Sequence, residues 1–220
     1  PAAAAAGAEP SSAPVSGAAI REVLPNSVAV LPFANLSPDP DKAYFAQGIH
    51  EEVLNQLGSI ESLNVIARTS VLRYANTQLQ IADVARELNV KTIMEGSVSY
   101  AGTEVRIRAQ LIDPSTGAQL WSQAYQRKID DVFAIQADIA MNIANALRAE
   151  FSLAEQRALE QPPTSSPEAY DLYLRARSLL GTRQDIAHEL LDRAIALDAK
   201  FAAAYSLKAR LYFLRISNNA

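Results

Sequence analysis

The chain has 220 residues, of which 49% are hydrophobic and 20% charged, as is usual for a soluble globular protein of one or two domains. Its net charge of −4 argues against a dominant role in binding nucleic acids, because proteins that bind phosphates usually present a basic surface. The absence of cysteine excludes disulfides, cysteine nucleophiles and thiolate metal sites. No apolar run approaches the roughly 18 residues that a membrane-spanning helix requires.

The first segment, residues 1–26, consists mainly of Ala, Pro, Ser and Gly, with almost no large apolar side chain before Ile20. Such a composition cannot offset the entropy lost on ordering, so it predicts a flexible linker. A chain that opens within a linker is expected to be part of a longer protein with further segments upstream.

Residues 27–160 are predicted to form an α/β domain. The first strand is wholly apolar, a helix follows with Phe45, Ile49, Val53 and Leu57 four residues apart, and a later strand alternates apolar and charged residues. The order β-α-β-α-β-β-β-α predicts a mixed sheet with helices packed on it, an α/β or α+β fold. The predicted elements are strands 28–33, 63–67, 91–100, 104–113 and 119–127, helices 41–57, 80–88 and 131–154, a turn at 35–40 and a helical turn at 71–74.

Residues 161–167 are rich in Pro and Ser and are predicted to link the α/β domain to an all-α segment, residues 168–220. Small side chains at Ala187 and Ala194 flank the bulky Leu191, and Tyr205 and Tyr212 restart a helical pattern. This register resembles the tetratricopeptide repeat, of which roughly one and a half would fit before residue 220. The resemblance implies a binding function and an array that continues beyond the chain.

Catalytic motifs are not recognisable in the sequence. Gly-rich phosphate loops and the Gly-x-Ser-x-Gly elbow are absent, so we expect no enzyme activity, cofactor or metal in this region. His50 is followed by two glutamates but lacks a second histidine four residues later, so an exposed or capping role is favoured over a metal site. The neighbouring carboxylates Glu51 and Glu52 do not face each other on a helix and therefore do not form an acid/base pair.

Two pairs of residues on the predicted strands are candidates for interaction or packing. Arg106 and Arg108 share one strand face and could bind an anion, although a solvated face is the favoured interpretation. Trp121 and Tyr125 share a face of the next strand, where packing in the core or at a domain interface is favoured over a ligand platform.

The third set of candidates lies in the last predicted helix. Tyr205, Tyr212 and Phe213 are aromatic side chains of this helix, and residues 212–214 form an apolar patch. We expect this patch to pack either against the α/β domain or against a neighbouring chain, so a homo-oligomer is one of the states considered.

Many short stretches from Val28 to Gln136 together resemble the TolB-like (FlgO-like) domain, a family that commonly joins this domain to tetratricopeptide repeats. Two departures from the family pattern are Gln47, where Asp is usual, and Ser99-Tyr100, where basic residues are usual. The matching stretches are VLPFANLSPDP (30–40), YF (44–45), GI (48–49), IARTS (66–70), AREL (85–88), EGSV (95–98), QLID (110–113), TG (116–117) and LW (120–121).

The resemblance implies the C-terminal, often periplasmic, part of a bacterial membrane regulator, with a winged-helix domain or a class III nucleotide cyclase domain and one membrane helix upstream. The leading interpretation is a non-catalytic sensor or protein-interaction module that binds a protein, a peptide or an unidentified small ligand. It would contact no nucleic acid itself and would reach the membrane only through the upstream helix. The alternatives are the regulatory region of a class III adenylate cyclase, an envelope assembly factor and, for location, the cytoplasm.

Overall fold

The computed structural model describes residues 23–150 and 152–218, so most of the predicted 1–26 linker lies outside the described residues. The strands are β1 (Ser27–Val30), β2 (Ala34–Asn35), β3 (Asn64–Val65), β4 (Thr92–Ala101), β5 (Glu104–Asp113) and β6 (Ala118–Lys128). The helices are α1 (Ala43–Gly58), α2 (Arg68–Val71), α3 (Ile81–Leu88), α4 (Val132–Ala146), α5 (Leu153–Glu160), α6 (Pro167–Ser178), α7 (Gln184–Leu197) and α8 (Ala202–Asn218).

The strands form one mixed sheet in the order β3-β1-β4-β5-β6, and the short β2 pairs with the far end of β4. Strand β1 runs parallel to both β3 and β4, whereas β4, β5 and β6 form an antiparallel meander. The predicted mixed sheet and α/β class are therefore confirmed. Strand β2 lies at the start of the segment that was predicted as a turn, because Ala34 and Asn35 continue parallel to β4 after β1 ends.

The two faces of the sheet are covered unequally. Val28 and Val30 of β1 belong to the larger core beneath α1 and α4, whereas Ala29 of β1 and Leu31, which follows the strand, belong to a smaller core beneath α2 and α3. The alternating apolar residues of β5 enter the larger core, as predicted from their spacing. The opposite face of β5 and β6 is polar and extends beyond α2 and α3, so it is left open.

The single helix predicted over 131–154 is wrong, because the structure has two helices, α4 and α5. Arg148 adopts a left-handed backbone conformation (φ 54°), and the Ala149 N–H donates to the Ala144 carbonyl at 2.9 Å, which closes α4. Ser152 and Glu155 then form a reciprocal capping box that begins α5. The Ser-x-x-Glu spacing was a readable start signal, but the apolar periodicity that runs through the break concealed it.

The helices after residue 160 are joined to the sheet region by a continuous core. Helix α6 packs on α1 and α7, and α8 packs mainly on α7. Ala187, Leu191 and Ala194, which carry the small-large-small pattern, are fully buried. That these helices belong to a tetratricopeptide array remains a prediction, as do the proposed domain boundaries. No helix in the described part of the chain is both long and apolar enough to cross a membrane.

Residues 161–167, predicted as a linker, make specific contacts. The Thr164 hydroxyl is buried and donates to the Asp198 carboxylate at 2.5 Å, which ties this segment to the end of α7. The Ser166 side chain accepts from the Ala169 N–H at 3.1 Å and caps α6, with Pro167 as the first helical residue. The segment therefore determines where α6 begins.

Two glycines of the sequence motifs permit close contacts. A Cβ at Gly48 on α1 would lie 2.6 Å from both terminal methyl carbons of Leu174 on α6, well inside van der Waals contact. A Cβ at Gly96 on β4 would lie 2.7 Å from the ring of Phe33, which folds over this strand. The absence of side chains therefore sets the separation of α1 from α6 and the position of the segment that follows β1.

We predict that Gly48→Ala destabilises the fold by about 1–3 kcal/mol, because Leu174 is fully buried and has little room to move. Gly58→Ala is the matched control on the same helix, since a Cβ there meets nothing within 4 Å and alanine favours helix. The free energy of unfolding in urea checks both variants. In a double-mutant cycle, Leu174→Ala should reduce the cost of Gly48→Ala, and additive costs would contradict the proposed clash.

Candidate functional site

A cleft of about 580 Å³ opens on the polar face of the sheet, beside the region that α2 and α3 cover. Its floor comes from three neighbouring strands, and its walls come from the segment after β1 and from the turn that follows α2. We call this feature the sheet cleft. Its floor is lined by Glu95, Gly96, Ser97, Arg108, Ala109, Gln110, Ser122, Gln123 and Ala124, and its walls by Leu31, Pro32, Ala34, Tyr74, Asn76 and Thr77.

The two charged side chains of the sheet cleft, Glu95 and Arg108, differ in their hydrogen bonding. Glu95 accepts a hydrogen bond from the Gln110 amide at 2.9 Å, across the β4–β5 pair. Arg108 is exposed, and no residue within 23–150 or 152–218 forms a hydrogen bond or ion pair with its guanidinium. An arginine without a partner beside hydroxyl and amide groups can bind a carboxylate or phosphate, while Leu31 and Tyr74 offer an apolar wall. The cleft is thus suited to a small anionic ligand with an apolar part.

The wall residue Tyr74 is fixed in position. Its hydroxyl donates to the Glu87 carboxylate at 2.6 Å, and the Arg73 guanidinium bonds to both groups. Burial raises the pKa of the Tyr74 phenol, so the ring remains neutral at ordinary pH. This wall of the cleft therefore presents a neutral ring that is held by hydrogen bonds.

The four candidate residues of the strands lie on opposite faces of the sheet. Arg108 lies in the sheet cleft, whereas Arg106 lies outside it and donates to the Gln126 side chain at 2.9 Å. Tyr125 is buried on the other face, where its hydroxyl donates to Asp138 of α4 at 2.5 Å, and Trp121 packs half-buried against the same core. The arginines and aromatics therefore do not form a common site.

The aromatic candidate residues of the last helix lie on α8, which packs mainly on α7. Tyr205 and Tyr212 are about half exposed, and Phe213 is 69% exposed. The Tyr212 ring meets His188 of α7 edge-on, with 4.8 Å between ring centroids. The expectation that this patch packs on the α/β domain is wrong for Tyr212 and Phe213, because both are exposed and α8 packs mainly on α7. Packing against a neighbouring chain remains a prediction.

His50, expected to be exposed or to cap a helix, is instead buried at 1% exposure. Its Nε2 lies 3.0 Å from the Val30 carbonyl oxygen, and its ring meets Phe33 edge-on at 5.6 Å between centroids. A carbonyl only accepts hydrogen bonds, so Nε2 carries the proton. Burial lowers the pKa of the imidazole below its ordinary value of 6.5. The readable signal was its spacing from Ala46 and Leu57, which are buried on the same face of α1.

A second polar cluster joins α1 to α6 on the covered side of the sheet. The Glu51 carboxylate lies 2.9 Å from Arg68 Nε and 3.3 Å from Arg177 Nε, and the side chains of Glu51 and Arg177 are only 15% and 13% exposed. The Tyr44 hydroxyl of α1 donates to Asp171 of α6 at 2.6 Å, and burial raises the pKa of this phenol. We call these contacts, together with Gly48–Leu174, the α1–α6 contact.

The neighbour of Glu51 has a different environment. Burial raises the pKa of the Glu52 carboxyl, and the nearby Arg177 partly opposes that rise. Glu51, by contrast, is held between two guanidinium groups. Within residues 23–150 and 152–218, no three His, Asp or Glu side chains are grouped as a metal site would need. That this region works without metal, cofactor or catalysis remains a prediction.

We predict that Glu51→Gln destabilises the protein by about 1.5–3 kcal/mol, mainly because the shielded Arg177 guanidinium loses its carboxylate partner, whereas Arg68 is screened by solvent. Asp83→Asn is the matched control, since the Asp83–Arg86 pair is exposed and should contribute less than about 1 kcal/mol. Urea unfolding of both variants measures the difference. Equal costs would show that the α1–α6 contact does not depend on this charge.

We predict that His50 makes stability depend on pH. The folded pKa is below 6.5, so the unfolded chain binds a proton that the folded chain does not, and stability falls as pH drops through about 6.5 towards the folded pKa. The slope contributed by one such group is at most about 1.4 kcal/mol per pH unit. His50→Gln keeps a donor for Val30 but should flatten this slope in urea unfolding between pH 8 and pH 5.5. An unchanged slope would contradict the assignment.

No protein-family model matches the sequence. One curated relative, "Putative adenylate cyclase 3" from Rhizobium meliloti (strain 1021), is 40% identical over 184 residues, which are 82% of this chain and 31% of the relative. The chain therefore spans about a third of the length of the curated relative it matches.

Several solved structures are similar at low sequence identity. TolB from Acinetobacter baumannii has a TM-score of 0.45 at 16% identity, covering 59% of this chain and 30% of that one. Lipoprotein GNA1162 from Neisseria meningitidis has a TM-score of 0.43 at 19% identity, and the match covers 55% of this chain and 98% of that one. The LpoB C-terminal domain from Salmonella enterica has a TM-score of 0.39 at 15% identity, and the match covers 47% of this chain and 82% of that one. With TM-scores below 0.5, these similarities support no functional conclusion. The relation that bears on function is thus the one to the Rhizobium meliloti protein.

Proposed function

We propose that this chain is a non-catalytic regulatory module of a larger bacterial signalling protein, and that its effector is a nucleotide cyclase. A ligand or partner in the sheet cleft would change how α6, α7 and α8 are held against the sheet, and the effector would respond to that change. The support is the 40% identity to a protein named as an adenylate cyclase, of which this region makes up only 31%.

The extent of the match is the observation that carries the proposal. A match to 82% of 220 residues leaves about 40 residues outside, so a continuous match includes residues 41–180. That range contains α1, all the strands of the cleft floor and α6. The sheet cleft floor and the α1–α6 contact thus belong to the region shared with the relative. More than two thirds of the relative lies outside the match and is available for a catalytic domain.

Contacts between the cleft and α6 offer a physical route for regulation. The cleft wall at Leu31 and Pro32 continues into Phe33, whose ring contacts His50 on α1. Gly48 and Glu51, on the same stretch of α1, hold α6. A ligand that displaces the wall would therefore act on α1 through the contact of Phe33 with His50. It would then act on α6 through the contacts of Gly48 and Glu51. Such a ligand shifts the equilibrium only by the difference in its affinity for the two arrangements.

The remaining elements of the proposal rest on the sequence resemblance. Residues 168–220 would begin a tetratricopeptide array that binds a protein or peptide, supported by the buried Ala187, Leu191 and Ala194 and by the exposed Tyr205 and Phe213. We further propose a periplasmic location, as the TolB-like resemblance implies.

The test compares this chain with the Rhizobium meliloti relative. The isolated chain, given ATP with Mg²⁺ or Mn²⁺, should form no cyclic AMP above buffer. Deleting the matching region from the relative should change its cyclase rate by about fivefold or more, the usual range of regulatory coupling. Replacing that region with this chain should restore the rate. Cyclic AMP formation by the isolated chain, a deletion without effect, or an intact relative without cyclase activity would each contradict the proposal.

A further inference from the structure

Strand β6 is unusually long and lies at the edge of the described sheet. β6 is the last strand in the sheet order and has 11 residues, ten of which pair with β5, while Leu120 is left out at a bulge. In the described part of the chain, no backbone group pairs with its other edge. Such an edge is a template for another strand, and proteins usually protect it with proline, charge or a short length. Residues 118–126 contain neither proline nor charge.

We propose that β6 pairs with β6 of a second copy of this chain, antiparallel and with the twofold axis at Gln123, so that two sheets become one. The proposal concerns assembly and does not depend on the identity of the effector. Gln123 is the central residue of Ala118–Lys128, so this register places the stretch 121–125 of one copy directly opposite the same stretch of the other, clear of the bulge at Leu120. An isologous interface of this kind closes on itself and produces a dimer rather than a fibre.

Charge favours a second copy in the antiparallel direction. The charged residues of β6, Arg127 and Lys128, lie together at one end of the strand. The proposed register places them opposite Gln119 and Ala118 of the second copy, which are uncharged. A parallel arrangement would place each basic residue opposite its own counterpart, and like charges directly opposite one another destabilise a sheet. The charges of β6 therefore favour antiparallel pairing of two copies over parallel pairing.

The aromatic residues of β6 fit the same register. On the face covered by α4, Trp121 of one copy falls opposite Tyr125 of the other, twice across the axis. Aromatic pairs directly opposite on neighbouring strands are among the stabilising combinations. Trp121 is only half-buried within one chain, whereas Tyr125 is buried, so Trp121 has surface left to cover. The pairing therefore gives a role to a side chain that one copy leaves partly exposed.

The pairing would also enlarge the sheet cleft. Ser122 and Ala124 form the β6 side of its floor, at the open edge of the sheet. In the dimer, Ala124 and Ser122 of the second copy lie directly beyond them. The two clefts would share a continuous polar floor with one Arg108 on each side of the axis. A ligand bound there would contact both copies.

The absence of native cysteine makes a disulfide test direct. Gln123→Cys meets its own counterpart at the axis and should cross-link under mild oxidation into a dimer on a non-reducing gel. Gln126→Cys is the matched control on the same exposed strand, because its counterpart lies six residues away, about 20 Å along the strand. Disulfides require Cα atoms closer than about 7 Å. Equal cross-linking of the two variants would overturn the register.

A charge exchange tests the dimer without a covalent bond. Sedimentation of the native chain over a range of concentrations should show a monomer–dimer equilibrium. Gln123→Lys and Gln123→Glu should each weaken dimerisation several-fold, since like charges meet at the axis, and mixing the two variants should restore it. Circular dichroism confirms that both variants fold. A native chain that remains monomeric, or a mixture that associates no better than either variant, would overturn the proposal.

Discussion

The close approach of α1 and α6 at Gly48 is the constraint on which the arrangement of this protein depends. A helix that carried a side chain at this position would hold α6 away, because Leu174 occupies the space that its Cβ would need. With the helices in contact, Tyr44 reaches Asp171 and Glu51 reaches Arg177. The core then runs without interruption from the sheet into the last three helices. The polar contacts between α1 and α6 therefore depend on the close packing of the two helices at Gly48.

The sheet separates two kinds of surface, and this asymmetry organises the proposed function. One face is covered by α1 and α4 except along the outer strand β6, and the other is open where β5 and β6 pass beyond α2 and α3. The open face has Arg108, to which no described residue binds, and the covered face holds the helices that would transmit a signal. The segment after β1 touches both sides, since Leu31 lines the cleft and Phe33 lies against His50. Such a position suits a regulatory module, whose ligand and output are expected on different surfaces.

Sequence patterns predicted the elements where one periodicity acted alone, and they failed where two signals competed. The alternation in β5 and the four-residue spacing on α1 correctly predicted a strand and a helix. The 131–154 helix was wrong, because apolar spacing continued across the left-handed turn at Arg148 and outweighed the Ser-x-x-Glu pattern that marks the start of α5. His50 was wrongly predicted to be exposed because the prediction relied on its polar side chain. Its spacing from Ala46 and Leu57, which are buried on the same face of α1, pointed to burial. The candidate residues on β5 and β6 were identified, but their division between two faces was not.

By itself, the amino-acid sequence determined the order of elements apart from β2 and the break between α4 and α5, the mixed α/β class and the absence of cysteine chemistry. These properties follow from residue type and from periods of two and 3.6 residues, which are local. Only the tertiary structure decided that Gly48 serves a helix contact, that Arg108 lies in a cleft, and that β6 is the last strand of the sheet. Each of these depends on which distant segment comes to lie beside a residue. Contacts between residues about 130 positions apart, such as Gly48 and Leu174, are outside the reach of any local pattern.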